Sequence, residues 1–204
     1  MSQPRARPLP ASYSTAELAR RLGVSTPTVQ RWVDLGYLKA WKTVGGHRRI
    51  DAEAAERFLT EQGLALVEAP AGKPAKRSGG PSVLIVDDNP DDRDILSDLV
   101  QSVLPVSKVA TVENGFQALV AIGRSAPDIL VTDIVMPHMN GVEMLRHLAS
   151  SNEARPMLLV AVSSLTSKQV ARLGTLPRGV KLLQKPVDPA VFAKTLAAAH
   201  RDAK

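Results

Sequence analysis

Five polar side chains interrupt otherwise apolar stretches of this sequence: Asp87 and Asp88 in VLIVDDNP, Asp133 in ILVTDIVMP, Ser163 in LLVAVSS and Lys185 in LLQKP. A carboxylate among apolar residues is costly to bury unless it is paired. Asp133 therefore either caps a turn or sits at a strand tip and holds something. Three carboxylates gathered in one place stay ionised together only when a cation offsets them. An all-oxygen set, without His or Cys, suits Mg²⁺, which keeps waters for phosphate oxygens. A carboxylate can itself be the nucleophile in phosphoryl transfer. A serine hydroxyl donates to phosphoryl oxygens, and a lysine ammonium offsets the developing charge, so positioning supplies most of the catalysis.

The elements that must position these residues are legible by period. Strands are expected over 83–87, 106–112, 128–133, 157–163 and 180–184. Helices are expected over 90–103, 114–124, from an Asn140 cap to about residue 150, near 167–174, and over 188–202. In the first of these helices Ile95, Leu96, Leu99, Val100 and Val103 are expected to face inward. Strands of near-continuous apolar character, alternating with helices, indicate a parallel sheet covered on both faces. Right-handed crossovers make it a doubly wound α/β domain. In such folds ligands sit outside the carboxyl ends of the strands. The acidic pair, Asp133, Ser163 with Ser164, and Lys185 all fall at that edge.

These motifs, in this order, resemble the response-regulator receiver domain over residues 82–204. The resemblance implies a flavodoxin-like, five-stranded sheet of order 2-1-3-4-5. It implies Mg²⁺ binding by Asp87, Asp88 and Asp133 with the backbone carbonyl of Val135, and phosphorylation of Asp133. Ser163 and Lys185 match the family's phosphoryl-stabilising positions. A sensor histidine kinase or phosphotransfer protein is the implied donor. Two positions depart from the pattern: Leu182 stands where a Tyr or Phe is common, and Val187 where a Phe is common.

The first half has a different character. Residues 1–81 hold 13 Lys/Arg against 7 Asp/Glu, which is the whole +6 excess of the chain. Such asymmetry points to a nucleic-acid or membrane-surface partner. Ser14 and Glu17 form a capping-box pattern, with Leu18, Ala19 and Leu22 inward and Gly23 as the stop. Ser25-Thr-Pro-Thr28 starts a second helix with the apolar stripe Val29, Trp32, Val33, ending at Gly36. A hairpin follows over 38–50, turning at Gly45-Gly46, and Asp51 caps a third helix to about residue 62. Ala55, Phe58 and Leu59 lie inside it, and Trp32 is expected in the core. The helix pair is a helix-turn-helix pattern whose second helix would enter the major groove. Its outward residues are expected to be Thr26, Thr28, Gln30 and Arg31. The hairpin would bring Lys42, His47, Arg48 and Arg49 to backbone phosphates. The stretch from residue 12 to 63 resembles the winged helix-turn-helix of the MerR and excisionase-like superfamily. That resemblance implies double-stranded DNA as partner and action as dimers or on repeated sites.

Residues 1–11 read as a disordered tail and 64–81 as a linker rich in Pro, Gly, Ala and basic residues. The piece 64–67 is apolar and could still pack on the first domain. With no cysteine there is neither a disulfide framework nor a Cys-based metal site. No apolar run approaches ~18 residues and no signal-peptide pattern opens the chain, so a cytoplasmic, membrane-free protein is expected. His138, His147 and His200 lack metal-ligand partners and are expected at the surface. The leading expectation is a DNA-binding two-component regulator that forms a homodimer on activation. One alternative is a protein-interaction or localisation module that does not read DNA specifically. A Mg²⁺-dependent hydrolase would need a general acid–base near Asp133, and none is found, so no enzymatic turnover is expected.

Overall fold

In a computed structural model, residues 11–66, 80–150 and 156–202 are described, with side chains through residue 197. The expected tail, His200 and most of the expected linker, including Val67, lie outside the described residues or side chains. The chain divides into two compact units, Met1–Pro70 and Ala71–Lys204. Among the described residues no helix is long and apolar enough to cross a membrane.

The first unit runs β1 (Ser12–Ser14), α1 (Thr15–Leu22), α2 (Thr26–Asp34), β2 (Ala40–Lys42), β3 (Arg48–Asp51) and α3 (Ala52–Glu61). Ser14, Ser25 and Asp51 cap the three helices by accepting from the backbone N–H three residues on. Gly23 closes α1 in the left-handed region, where only glycine avoids a Cβ penalty. Trp32 is fully buried and packs against Phe58 with the rings tilted by 52° and their centroids 5.8 Å apart. The hairpin is part of an antiparallel sheet of order β1-β3-β2. Its third strand, β1, was not expected from sequence. Three residues carry too short a pattern to announce a strand, and only pairing with β3 makes one. Leu64 is half-buried and its N–H donates to the Leu59 carbonyl.

The second unit runs β4 (Ser82–Val86), α4 (Pro90–Val103), β5 (Lys108–Val112), α5 (Gly115–Arg124), β6 (Ile129–Asp133), α6 (Gly141–Ser150), β7 (Leu158–Ser163), α7 (Ser167–Leu173), β8 (Lys181–Gln184) and α8 (Pro189–Asp202). Its five strands are all parallel, in the order β5-β4-β6-β7-β8. Counted within the unit, that is the expected 2-1-3-4-5. Alternate residues of a strand face opposite sides. Val83, Ile85, Ile129, Val131, Val160 and Val162 thus pack one face under Leu96 and Val100 of α4 and Phe192 and Leu196 of α8. Leu84, Val86 and Leu130 are buried on the other face.

Two inward or outward expectations are corrected here. Ile95 is 57% exposed, because the apolar seam of α4 runs through Leu96 and Val100 and turns Ile95 to solvent. His147 is buried rather than at the surface, since α6 sets it beside Leu148 on its inner side.

Candidate functional site

Every strand of the second unit ends toward one edge, and the polar residues collect there. Asp87 follows β4 and is fully buried, its N–H donating to the Val112 carbonyl at 3.2 Å. Asp88 is exposed. Asn89 then donates its N–H to Asp87 Oδ1 at 3.0 Å and caps α4 through Asp91 N–H. This local turn aims the Asp87 carboxylate inward while α4 departs. Asp133 ends β6, buried, with Oδ2 accepting from Val135 N–H at 3.2 Å. Carboxylate oxygens of Asp87, Asp88 and Asp133 all lie within 4.8 Å of one another. Oxygen donors so close, with no softer ligand among them, fit one hard divalent cation. Val135 itself is 47% exposed.

Lys185, just past β8, reaches over this group. Its Nζ lies 2.8 Å from Asp87 Oδ2, 2.8 Å from Asp92 Oδ2 and 3.4 Å from Asp133 Oδ1. Burial alone would lower its pKa, but the hydrogen bonds it donates to Asp87 and Asp92 outweigh that and raise it, so the ammonium stays charged. For Asp133 burial wins: its pKa rises to about 6, against the pull of Lys185 and with the push of Asp87. Ser163 is buried at the end of β7, its Oγ accepting from Leu165 N–H at 3.1 Å, and its carbonyl accepts from Lys185 N–H at 2.8 Å. Leu182 and Val187 are both half-buried.

Two contributors escaped the sequence reading. Asp92 lies in the first turn of α4 and binds Lys185 across 93 positions. An acid in a helix's first turn usually reads as a response to the helix dipole, so nothing in its type or spacing singled it out. Gly141 opens α6, and a Cβ there would meet the Asp133 carbonyl oxygen at 2.1 Å. The glycine lets α6 start against the end of β6; the Asn-Gly pair was its only signal.

In the first unit, Gln30 of α2 and the hairpin residues Lys42, His47, Arg48 and Arg49 line one groove of about 640 Å³ with Ser14, Thr15 and Ala16. Gly46, at φ 78, makes the turn that returns β3. The exposed tip carries Val44, and Trp41 is 47% exposed on β2. Thr26 and Arg31 are half-buried.

Two of the expected outward groups are otherwise engaged. Thr28 is buried, its hydroxyl 2.8 Å from Ser25 Oγ, because it sits at the third position of α2 where the cap closes on it. Arg48 is clamped by Asp34, with guanidinium–carboxylate distances of 2.6 and 3.4 Å. Arg21 is also occupied, lying 5.1 Å over the Tyr13 ring and 3.6 Å from Glu17.

Comparison with known proteins gives two family matches. A model of the response regulator receiver domain matches residues 83–197, and one of a helix-turn-helix domain matches residues 12–63. Among curated relatives, a protein-glutamate methylesterase/protein-glutamine glutaminase from Myxococcus xanthus is 34% identical over 104 residues, 51% of this chain and 30% of that protein. The probable transcriptional regulatory protein TcrX of Mycobacterium tuberculosis is 32% identical over 94 residues, 45% of this chain and 38% of that protein. The chain thus spans well under half the length of both relatives. Among solved structures, the receiver domain of a sensor histidine kinase from Pseudomonas aeruginosa, with a magnesium ion coordinated in its active site cleft, shares the fold. It is 21% identical, at TM-score 0.50, covering 58% of this chain and 96% of that one.

Proposed function

The chain belongs to the response regulator receiver domain family, and from that premise we propose that Asp133 accepts a phosphoryl group which controls DNA binding by the first unit. The observation that carries this reading is the buried Asp133 carboxylate, within 4.8 Å of two further acids and 3.4 Å from the Lys185 ammonium. It is a nucleophile with charge compensation built around it.

The donor would be the phosphohistidine of a sensor kinase or phosphotransfer protein. An Asp133 carboxylate oxygen forms a bond to phosphorus as the bond from phosphorus to the histidine nitrogen breaks; that nitrogen keeps the electron pair and recovers a proton. A Mg²⁺ ion would be held by Asp87, Asp88, Asp133 and the Val135 carbonyl, and would offset charge on the phosphoryl oxygens. The magnesium in the cleft of the Pseudomonas neighbour supports that choice of ion. Lys185 supplies a positive charge beside the new acyl phosphate. Ser163 would give up its bond from Leu165 and donate its hydroxyl proton to a phosphoryl oxygen. No general base is needed to activate Asp133, since its ionised carboxylate is the attacking group. No turnover of external phosphate esters is expected.

The output half is a helix-turn-helix domain. Its basic groove between α2 and the hairpin is suited to a duplex backbone, with Gln30 toward base edges and Lys42, His47 and Arg49 toward phosphates. Arg31, half-buried next to Gln30 on α2 and outside the groove lining, would read a base edge only with its guanidinium end. Thr26 stands at the start of the same helix. Phosphorylation would shift the protein toward a homodimer and so change DNA affinity. The test is to add Mg²⁺ with beryllofluoride or a small phosphodonor and compare mass, oligomer size and duplex binding with Asp133→Asn. Wild type should gain one phosphoryl mass from the phosphodonor and the variant none. Equal labelling of both would overturn the assignment.

A further inference from the structure

We propose that Asp92 is a positioning residue for Lys185, holding the ammonium at the pocket mouth so that Asp87 can turn to a divalent cation. The proposal rests on the phosphoryl-transfer reading above and extends it to a residue outside the acidic trio.

Lys185 has three N–H donors. Three carboxylates meet them, of Asp87, Asp92 and Asp133. Two of these also belong to the cation group, Asp87 and Asp133. The ammonium and a divalent ion therefore compete for the same two carboxylates. They also repel each other, more strongly in a pocket than in water. When a cation enters, Lys185 must loosen its grip on Asp87, whose side chain is only 1% exposed. Asp92 is the partner left to it. Its carboxylate is 34% exposed, stands in the first turn of a 14-residue helix, and lies outside the trio that would hold the ion. The lysine can pivot toward Asp92 without losing an ionic partner. Without Asp92, the ammonium's remaining ionic contacts are those two cation-binding acids, and the ion must displace it from both.

The experiment is calorimetric titration of the full chain with MgCl₂ at pH 7.5, on wild type, Asp92→Asn, Asp92→Glu, Lys185→Gln and the double variant Asp92→Asn/Lys185→Gln. Asp92→Asn should weaken Mg²⁺ binding roughly fivefold, and Asp92→Glu, which keeps the charge, should restore most of it. In the Lys185→Gln background the same Asn substitution should change affinity less than about twofold, because there is no ammonium left to hold. An equal loss in both backgrounds would mean that Asp92 acts only as one more negative charge, and the proposal fails. An unchanged Asp92→Asn would also sink it. Failure of wild type to bind Mg²⁺ at all is a different outcome: it overturns the phosphoryl-transfer reading, and this proposal falls with it. Asp92→Ala repeats the measurement without an amide that could itself accept from Lys185, and should lose at least as much affinity.

Discussion

Lys185 Nζ lies 2.8 Å from the buried Asp87 carboxylate, although 98 positions separate the two residues. This contact ties the fifth strand of the sheet to the first strand's end across the mouth of the pocket. Without a metal ion it is the main compensation for a fully buried acid. Lys185→Met should therefore destabilise the metal-free protein at pH 7 by roughly 1–3 kcal/mol, the cost of leaving a buried charged group short of a partner. Urea unfolding of the two proteins with and without Mg²⁺ checks this: the deficit should shrink when the ion is present. A deficit that Mg²⁺ leaves unchanged would separate Asp87 from the cation group.

Asp133 makes stability depend on pH in an unusual direction. Its folded-state pKa is raised to about 6 from 3.8, mainly by burial. The folded protein then binds more protons than the unfolded chain between those values, so this contribution is complete below about pH 3.8 and is lost as pH rises through about 6. Metal-free Asp133→Asn should be more stable than wild type at pH 7.5, by roughly 1–3 kcal/mol, and the advantage should vanish near pH 4. Thermal melts in chelator at several pH values measure it. A constant difference across the range would contradict the raised pKa.

Gly141→Ala tests how the pocket is built. The added methyl would sit 2.1 Å from the Asp133 carbonyl oxygen, a backbone atom that cannot swing aside. The variant should lose about 2–4 kcal/mol of stability. Because the displaced backbone carries the acceptor, beryllofluoride binding should weaken more than that of a surface Gly→Ala variant such as Gly123→Ala.

On the DNA side, Arg48 and Arg49 are adjacent but not equivalent. Arg49 pairs across the sheet with Trp41 and Ser14, whereas Arg48 is clamped to Asp34 on α2. Arg49→Ala should weaken duplex binding and make its salt dependence shallower by about one unit of slope, as expected for one lost phosphate contact. Asp34→Ala releases Arg48 and should raise non-specific affinity while loosening the hairpin. Binding to random duplex as a function of salt reads both. No duplex binding at low salt would favour a protein-interaction role, for which the exposed Trp41 and Val44 are available.

Much of this protein is set out along its chain. The strands and helices follow from local apolar period, which depends on neighbours within a few positions. The order of the sheet was instead implied by the family resemblance and rests on pairings between distant strands, such as Val83 with Ile129. The acids, the serine and the lysine were identifiable because each ends an apolar strand, where a polar residue has little structural reason to be. What only the tertiary structure decided is which partner each group has. Asp92 and Asp91 are alike in sequence, but the rotation of α4 delivers one of them to Lys185. Thr28 and Thr26 look equally outward, yet the Ser25 cap draws one into the interior. Arg48 and Arg49 read as the same charge until pairing in the sheet turns them to different faces. Local pattern specifies the element; helix rotation, strand register and side-chain reach choose among similar neighbours, and those depend on contacts made across the whole fold.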